Sequence, residues 1–411
     1  MGIYPFVRPR YEARSDVPTL ASGTRRVTYE TLSTEASFAE VGETWDTLVR
    51  DMPRPSPFLL HGWLREWWRH YGEGSTLAVQ AAFRDGTVVG ALPLLIHSRR
   101  GLRIATFLGG RQSALADLLL AEGEDPAVAA ELVARAASAG QDYADLFGLS
   151  GDCRLAAVLG PSHLHERIEA PVLDISAGWE ATYRAKTTSK KRSHHRKRRR
   201  QLAQLGKVRF SVARTRAELE PALEEAFRIH ALRWKGRPDG SGFTTPTGMR
   251  FNRAAATALA EIDVARIVTL ELDGRAIAFH YYFALEGRMY LHRMAFDPAF
   301  ARVSPGLMAA LEALKIGAAE GLTWVEFLGG ADRYKVELAD RFEPLHLGLG
   351  LAGSATGSAV VAARTRWLRL RETMKRSATA RSLYEGLAPA RRLVTRPRDV
   401  MRPSGVRQTG E

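Results

Sequence analysis

The sequence predicts a mixed α/β protein built from two tandem copies of one unit. Two hairpin signals, Asp85-Gly86 and Asp273-Gly274, each join a pair of strand-like runs. A helical pattern that stops at a glycine follows each hairpin, and a buried-looking strand comes next. The same order of elements at nearly the same spacing indicates an internal repeat.

The repeat divides the chain into four parts. We expect an N-terminal extension over residues 1–24, a first unit over 25–178, a second unit over 179–352 and a basic, helical or disordered tail over 353–411. A chain of 411 residues of which 45% are hydrophobic is long enough to form two packed units.

The net charge of +14 is concentrated in two segments. Residues 184–200 contain ten Lys or Arg and no acid, and the tail is also rich in arginine, so the rest of the chain is mildly acidic. Apolar residues at helical spacing continue past the basic run to Leu205, and Gly206 is placed to end a helix. The run is therefore predicted to form the first helix of the second unit.

The basic helix and tail favour an anionic partner. An anionic small molecule or glycan precursor, an anionic membrane surface and a tRNA all remain open as partners. Specific DNA binding is not expected, because the run has no interleaved aromatic residues and no known DNA-binding motif.

A single cysteine, Cys153, excludes an internal disulfide and a cysteine-based metal cluster, and we expect no metal cofactor. No window reaches the roughly 18 apolar residues that a membrane span needs. We therefore expect a cytoplasmic protein, with peripheral attachment to the inner membrane face as an open alternative.

The second unit offers a phosphate site. After the strand RMYLHRMAF, the residues Ser304, Pro305, Gly306 and Leu307 open a helix, and Arg302 lies beside them. Exposed N–H groups at a helix N-terminus bind phosphate well. The first unit shows no clear helix opening at the corresponding place, so we expect it to be the degenerate copy.

The element order and the phrases SPG, EFLGG and YK carry a family resemblance. Residues 30–350 resemble tandem GCN5-related N-acetyltransferase (GNAT) proteins of the group associated with bacterial cellulose and exopolysaccharide biosynthesis, which is related to the Fem-type peptidyltransferases. The chain departs from ordinary acetyltransferases in its phosphate loop, where only Arg302 and Gly306 match the usual motif.

The resemblance implies an acyltransferase that uses acetyl-CoA, or another acyl-CoA, with the pyrophosphate at residues 304–307. Transfer to an amine needs a base and a proton donor for the leaving thiolate. His292 and Glu326 are the base candidates, Tyr334 is the acid candidate, and Lys335 would hold an anionic substrate or developing charge.

Three further residues are predicted to bind substrate, namely Asp117, His280 and Arg198. Each prediction has a structural alternative. The two histidines, His280 and His292, could be hydrogen-bonded core residues, and Glu326 could pair with an arginine instead.

Three functions stay open at this point. The favoured one is an acetyl-CoA-dependent N-acetyltransferase that acts on an amine of a polysaccharide precursor or related metabolite. The others are a Fem-like transferase that uses aminoacyl-tRNA and a non-catalytic accessory protein of envelope polysaccharide synthesis.

Overall fold

The computed structural model describes residues 26–235, 242–330 and 332–376. The predicted N-terminal extension and the tail beyond residue 376 lie outside the described residues. The α-helices in the described ranges are α1 (Glu35–Ala39), α2 (Gly42–Arg50), α3 (His61–Tyr71), α4 (Pro126–Ala137), α5 (Arg154–Leu159), α6 (Trp179–Lys186), α7 (Ser189–Ala203), α8 (Arg216–Trp234), α9 (Pro246–Glu261), α10 (Pro305–Ala319), α11 (Arg333–Leu338) and α12 (Ala355–Arg376).

The β-strands in the same ranges are β1 (Thr28–Leu32), β2 (Ser75–Leu77), β3 (Val79–Arg84), β4 (Thr87–Leu92), β5 (Leu94–Arg99), β6 (Leu102–Phe107), β7 (Leu119–Leu120), β8 (Tyr143–Ser150), β9 (Leu164–Ile168), β10 (Pro171–Asp174), β11 (Val208–Ala213), β12 (Ala265–Leu272), β13 (Arg275–Leu285), β14 (Arg288–Phe296), β15 (Trp324–Glu326), β16 (Arg341–Phe342) and β17 (Leu345–Gly350).

The described strands form three sheets. Their orders are β1-β3-β4-β7, β2-β5-β6-β8-β17-β9 and β11-β12-β13-β14-β15-β10-β16. Both predicted hairpins are present, as β3–β4 and β12–β13. Asp85 and Gly86 have φ of 52° and 79°, and Asp273 and Gly274 have φ of 51° and 81°. Two consecutive positive φ values are the signature of the tight turn whose twist matches that of paired strands.

The repeat appears as matching topology. In the first unit β6 leads through α4 to the parallel strand β8, and in the second β14 leads through α10 to the parallel strand β15. The long strand β13 corresponds to two shorter strands in the first unit, β4 and β5, which are separated at Pro93. Proline cannot donate a ladder hydrogen bond, so a strand breaks there.

The sheets exchange strands between the two units. β10, from the sequence of the first unit, pairs with β15 and β16 of the second unit. β17, from the sequence of the second unit, pairs with β8 and β9 of the first. The predicted boundary at residue 178 therefore describes the sequence repeat, while the hydrogen bonding crosses it in both directions.

The basic run forms two helices rather than the one predicted. α6 ends at Lys186, and Thr188 begins α7 as its N-cap, because its side chain accepts a hydrogen bond from the N–H of Lys191. A threonine cap of this kind competes with continuous helix. α7 also ends at Ala203, before the predicted glycine stop.

One large apolar cluster contains buried residues of both units. Trp63 of α3 packs against Phe251 of α9 and Phe283 of β13, with ring centroids 4.8 and 5.6 Å apart. The first part of the tail packs on the first unit, because Leu368 of α12 is only 3% exposed and lies in a cluster with Tyr143 and Leu349.

Candidate active site

The strands β14 and β15 diverge and open a cleft in the seven-stranded sheet. They pair in parallel only where Arg288–Tyr290 faces Trp324–Glu326. β14 continues to Phe296, whereas the chain after β15 turns away at Leu328, whose φ is 57°. In the described part of the chain, β14 beyond Tyr290 therefore has no strand neighbour on this side.

A cavity of about 450 Å³ lies at this divergence, and both units contribute to its wall. Its lining residues are Arg111, Gln112, Ala114, Phe147, Ile168, His230, Trp234, His280, Leu291, His292, Arg293, Met294, Phe327, Leu328, Gly329, Asp332, Tyr334, Lys335 and Leu345. A volume of this size suits a small ligand or the reactive end of a larger one.

Four predicted site residues meet in this cavity. They are His280 on β13, His292 on β14, and Tyr334 and Lys335 on α11. The structure brings these side chains together from two consecutive strands and from a helix further along the chain. Their catalytic and binding roles stay predictions.

Lys335 is held inside the cavity rather than extended into water. Its Nζ donates a hydrogen bond to the carbonyl oxygen of Phe327 at 3.1 Å and lies 3.6 Å from a carboxylate oxygen of Asp332. The side chain is only 12% exposed. Burial lowers the pKa of Lys335 below its usual value, which makes the ammonium easier to deprotonate.

Tyr334 packs its ring edge-on against Phe327, with the centroids 6.1 Å apart. Burial raises the pKa of its hydroxyl, and Asp332 adds to the rise. The phenol therefore stays protonated at neutral pH, which is the state that a proton donor needs.

The cavity histidines are neutral at physiological pH. Burial lowers the pKa of His280 to about 3 and that of His230 to about 4. In the described residues, both ring nitrogens of His280 and the Nδ1 of His230 are buried without a hydrogen-bond partner. Each ring therefore keeps an unused nitrogen.

His292 is surrounded by aromatic rings on one side and faces the cavity on the other. Its neighbours include Trp63, Tyr281 and Phe283, at centroid distances of 5.4, 5.4 and 5.0 Å. Burial lowers the pKa of His292 well below its usual value, and Arg293 lowers it further. The ring is neutral and held in place by packing.

Glu326 lies outside the cavity lining. It is fully buried, and its carboxylate oxygens accept hydrogen bonds from Arg54 and Arg288 at 2.7 to 3.0 Å. The structure therefore matches the structural alternative for this residue, an ion pair with arginine. A carboxylate held in this way is poorly placed to collect a proton from a ligand.

The other two predicted substrate-binding residues also lie elsewhere. Asp117 accepts hydrogen bonds from the backbone N–H groups of Leu118, Arg154 and Leu155, at 2.7 to 3.0 Å, which joins a loop to the start of α5. Arg198 of α7 donates to the carbonyl oxygen of Arg302. The structure thus does not gather the three predicted substrate-binding residues in one place.

The predicted phosphate-binding residues form the start of α10, outside the cavity lining. Ser304 is the N-cap in the left-handed region, with φ of 54°, and Pro305 is the first helical residue. An added Cβ at Gly306 would lie 2.8 Å from Cδ1 of Phe296, so glycine allows the helix to approach β14 closely. The bond from Arg198 places the basic helix α7 beside this helix start.

The sequence reading missed several cavity residues. Arg293 immediately follows His292 in the strand RMYLHRMAF, and a charged residue in a mostly apolar strand was an available signal. Arg111 and Phe147 come from the first unit, and Arg111 lies over the ring of Phe147 at 5.3 Å. The contribution of these two residues to the cavity depends on the packing of the two units, so no local sequence pattern indicated it.

The second unit matches a known domain family. Residues 189–336 match the acetyltransferase (GNAT) domain family. The GNAT match lies in the second unit and includes β14, α10, β15 and the cavity residues of α11. A GNAT domain on a fold of this topology supports an acyltransferase.

Solved structures share the fold at low sequence identity. One is the C-terminal domain of a putative lysylphosphatidylglycerol synthetase from Agrobacterium fabrum, with a TM-score of 0.51, 14% identity, and coverage of 79% of this chain and 95% of that one. Another is a conserved protein of unknown function from Bacteroides thetaiotaomicron, with a TM-score of 0.52, 12% identity, and coverage of 78% and 100%.

FemX gives a TM-score of 0.49 at 14% identity, with coverage of 76% of this chain and 94% of that one. A comparison with curated protein sequences gives no match. The predicted mixed α/β fold of two GNAT-like units is therefore confirmed, while the narrower resemblance to the exopolysaccharide-associated group stays a prediction.

None of the helices in the described ranges combines the length and apolar content needed to cross a bilayer. Within the same ranges, no group of three His, Cys, Asp or Glu side chains is arranged to hold a metal ion.

Proposed function

We propose that this chain is an acetyltransferase that moves an acetyl group from acetyl-CoA to an amine of a polysaccharide precursor or related metabolite. The observation that carries the proposal is the divergence of β14 and β15 beyond the pairing of Arg288–Tyr290 with Trp324–Glu326. The acceptor class rests on the resemblance to exopolysaccharide-associated proteins.

The donor would bind along the free edge of β14. Backbone N–H groups there have no strand partner in the described residues, so they can bind the amide groups of the thioester arm and polarise its carbonyl. The pyrophosphate would lie at the start of α10, residues 304–307, where the first N–H groups lack intrahelical acceptors. Arg302 and the cations of α7 would add positive charge.

The proton transfers would use residues of the cavity wall. The amine nitrogen attacks the thioester carbonyl carbon, and neutral His292 accepts the proton that nitrogen releases. As the carbon–sulfur bond breaks, the protonated hydroxyl of Tyr334 donates to the leaving sulfur. His280 and Lys335 would orient the acceptor. Glu326 has no role in this scheme, because its charge is already paired.

A second donor remains a candidate because of α7. This helix carries most of the acid-free basic run and contacts the loop before α10 through Arg198. A surface with so many cations would also suit the phosphates of an aminoacyl-tRNA or an anionic membrane. We place the acetyl-CoA reaction in the cytoplasm, where that donor is made.

Calorimetric titration of acetyl-CoA into the purified protein tests the proposal, at moderate and at high salt. The variants are Ser304→Asp, which puts a negative charge at the start of α10, and Ser304→Asn, a neutral control. Both side chains tolerate the left-handed backbone of this position. We expect saturable binding that persists in high salt and weakens about tenfold or more in the aspartate variant alone.

Two results would contradict the proposal. Equal affinity of both variants for acetyl-CoA would show that the pyrophosphate does not bind at the start of α10. No binding of acetyl-CoA at all would reject this donor; binding of aminoacyl-tRNA in its place would support the Fem-like reaction, and binding of neither donor would favour the accessory role.

A further inference from the structure

The cavity contains more positive charge than its own side chains neutralise. Arg111, Arg293 and Lys335 line it, and Asp332 is the single carboxylate among the lining residues. Asp332 already lies 3.6 Å from Lys335, and its side chain is 65% exposed. In the described residues, Arg293 forms no ion pair.

Arg293 is the centre of this imbalance. Its only described hydrogen bond runs from Nη1 to the carbonyl oxygen of His292 at 3.2 Å, and its Nε is buried without a partner. Burial lowers the pKa of Arg293, and its charge adds to the depression of the pKa of His230 and Lys335. Arg293 is partly buried, and a guanidinium withdrawn from water without an anion is costly to the fold.

Unused polar atoms surround the same space. His280 is 1% exposed and His230 is 3% exposed, yet three of their four ring nitrogens have no partner in the described residues. The charge of Arg293 acts on His230, and that of Lys335 acts on His280. Buried polar groups are normally hydrogen-bonded, so unpaired nitrogens next to these two cations of one cavity point to a polar ligand.

We infer that the acyl acceptor carries an anionic group, a carboxylate or a phosphate, and that Arg293 and Lys335 bind it in the cavity with His230 and His280 as hydrogen-bond partners. The planar guanidinium can bind either anion through two N–H groups. The identification of the ligand as the acyl acceptor rests on the proposed function. The anion subsite itself rests only on the cavity.

The anion would also affect the reaction. Burial is the main cause of the low pKa of His292, and the charge of Arg293 lowers it further. The bound anion would offset that charge. Binding of an anionic acyl acceptor would thus make His292 a stronger base. Binding of an amine without a negative charge would not.

The test uses inorganic phosphate and succinate as probes, each titrated into the protein by calorimetry at a fixed ionic strength. Binding of one probe but not the other identifies the anion type. Arg293→Gln and Lys335→Gln each remove one cation of the subsite. We expect each to weaken the bound probe about tenfold or more.

The matched control is Arg333→Gln. Arg333 lies on the same short helix as Lys335, but its side chain is 90% exposed and pairs with Glu337. The probe should bind this variant as it binds the unchanged protein. Arg293→Gln should melt at the same temperature or higher without the probe, since it removes an unpaired, partly buried cation. If that variant fails to fold, Lys335→Gln carries the test.

A repeat with saturating acetyl-CoA separates the subsite from the donor site. Unchanged probe affinity supports an acceptor subsite, and displacement of the probe would assign the cations to the donor and overturn the inference. Absence of probe binding, or probe affinity in both cavity variants equal to that of the unchanged protein, would also overturn it. Arg293-dependent probe binding without any acetyl-CoA binding would reject the proposed function alone.

Discussion

Arg54 and Glu326 form a two-pronged ion pair, with Nε–Oε1 and Nη2–Oε2 distances of 3.0 and 2.7 Å. Glu326 is fully buried on β15, and Arg54 lies in the segment between α2 and α3. Arg54 also contacts Glu343 at 3.0 Å and the hydroxyl of Ser150 at 3.3 Å. One side chain thus connects the first unit to the seven-stranded sheet beside the cavity.

Removal of Arg54 should destabilise the protein strongly. Arg54→Ala leaves Glu326 buried with Arg288 as its remaining partner, and we expect the free energy of unfolding to fall by about 3 kcal/mol. Urea unfolding followed by tryptophan fluorescence measures it. Arg50→Ala is the control, because Arg50 pairs with Glu286 at 2.7 Å on the surface and should cost less than about 1 kcal/mol. Equal costs would contradict this account.

The docking of α12 should depend on one of its two neighbouring leucines. Leu368 is 3% exposed and packs on the first unit, whereas Leu370 is 58% exposed. We expect Leu368→Ala to lose about 2 to 4 kcal/mol of packing and to speed amide hydrogen exchange across residues 355–376. Leu370→Ala should leave exchange unchanged. Rapid exchange of α12 in the unchanged protein would show that the helix is not docked.

The close approach of α10 to β14 should require Gly306. In Gly306→Ala the new Cβ would meet the ring of Phe296 at 2.8 Å, and overpacking of this kind costs about 1 to 3 kcal/mol. Phe296→Leu removes the atoms in the way, so the double variant should recover part of the loss. A double-mutant cycle from thermal unfolding measures the coupling. If the stability changes of the two single variants are strictly additive, the contact between residue 306 and Phe296 is not the source of the lost stability.

His280 should make the fold sensitive to acid. Its pKa is about 3 in the folded protein, so between pH 6.5 and 5 the unfolded chain takes up a proton that the folded chain does not. Stability therefore falls as the pH drops, by about 2 kcal/mol from this residue between pH 7 and 5. Urea unfolding at both pH values should show a smaller loss in His280→Gln. An identical loss in both proteins would mean that His280 is not buried in its neutral form.

Features set by neighbouring residues could be predicted from the sequence. The turns at Asp85-Gly86 and Asp273-Gly274 need residues that accept positive φ, and the start of α10 follows from Ser304 and Pro305. The capping threonine that divides the basic run was also local, but the density of helix-compatible cations on both sides of it concealed the break.

Features set by packing between distant segments could not be predicted. The assignment of Glu326 as a base failed to anticipate Arg54, which is 272 residues away in sequence. The importance of Arg293 depends on the histidines that α8 and β13 bring to the same cavity. Sequence patterns record which face of an element is apolar, and they do not record which partner that face will meet.

The exchange of β10 and β17 bears on how a duplicated protein of this kind evolves. Each copy provides a strand in the middle of the other's sheet, so deletion of either copy would leave two open strand edges in the survivor. A copy that has lost its chemistry is consequently retained as an obligate structural partner. Mutations that abolish the activity of one half can then accumulate, whereas deletion of that half from the gene would disrupt the sheet of the other half.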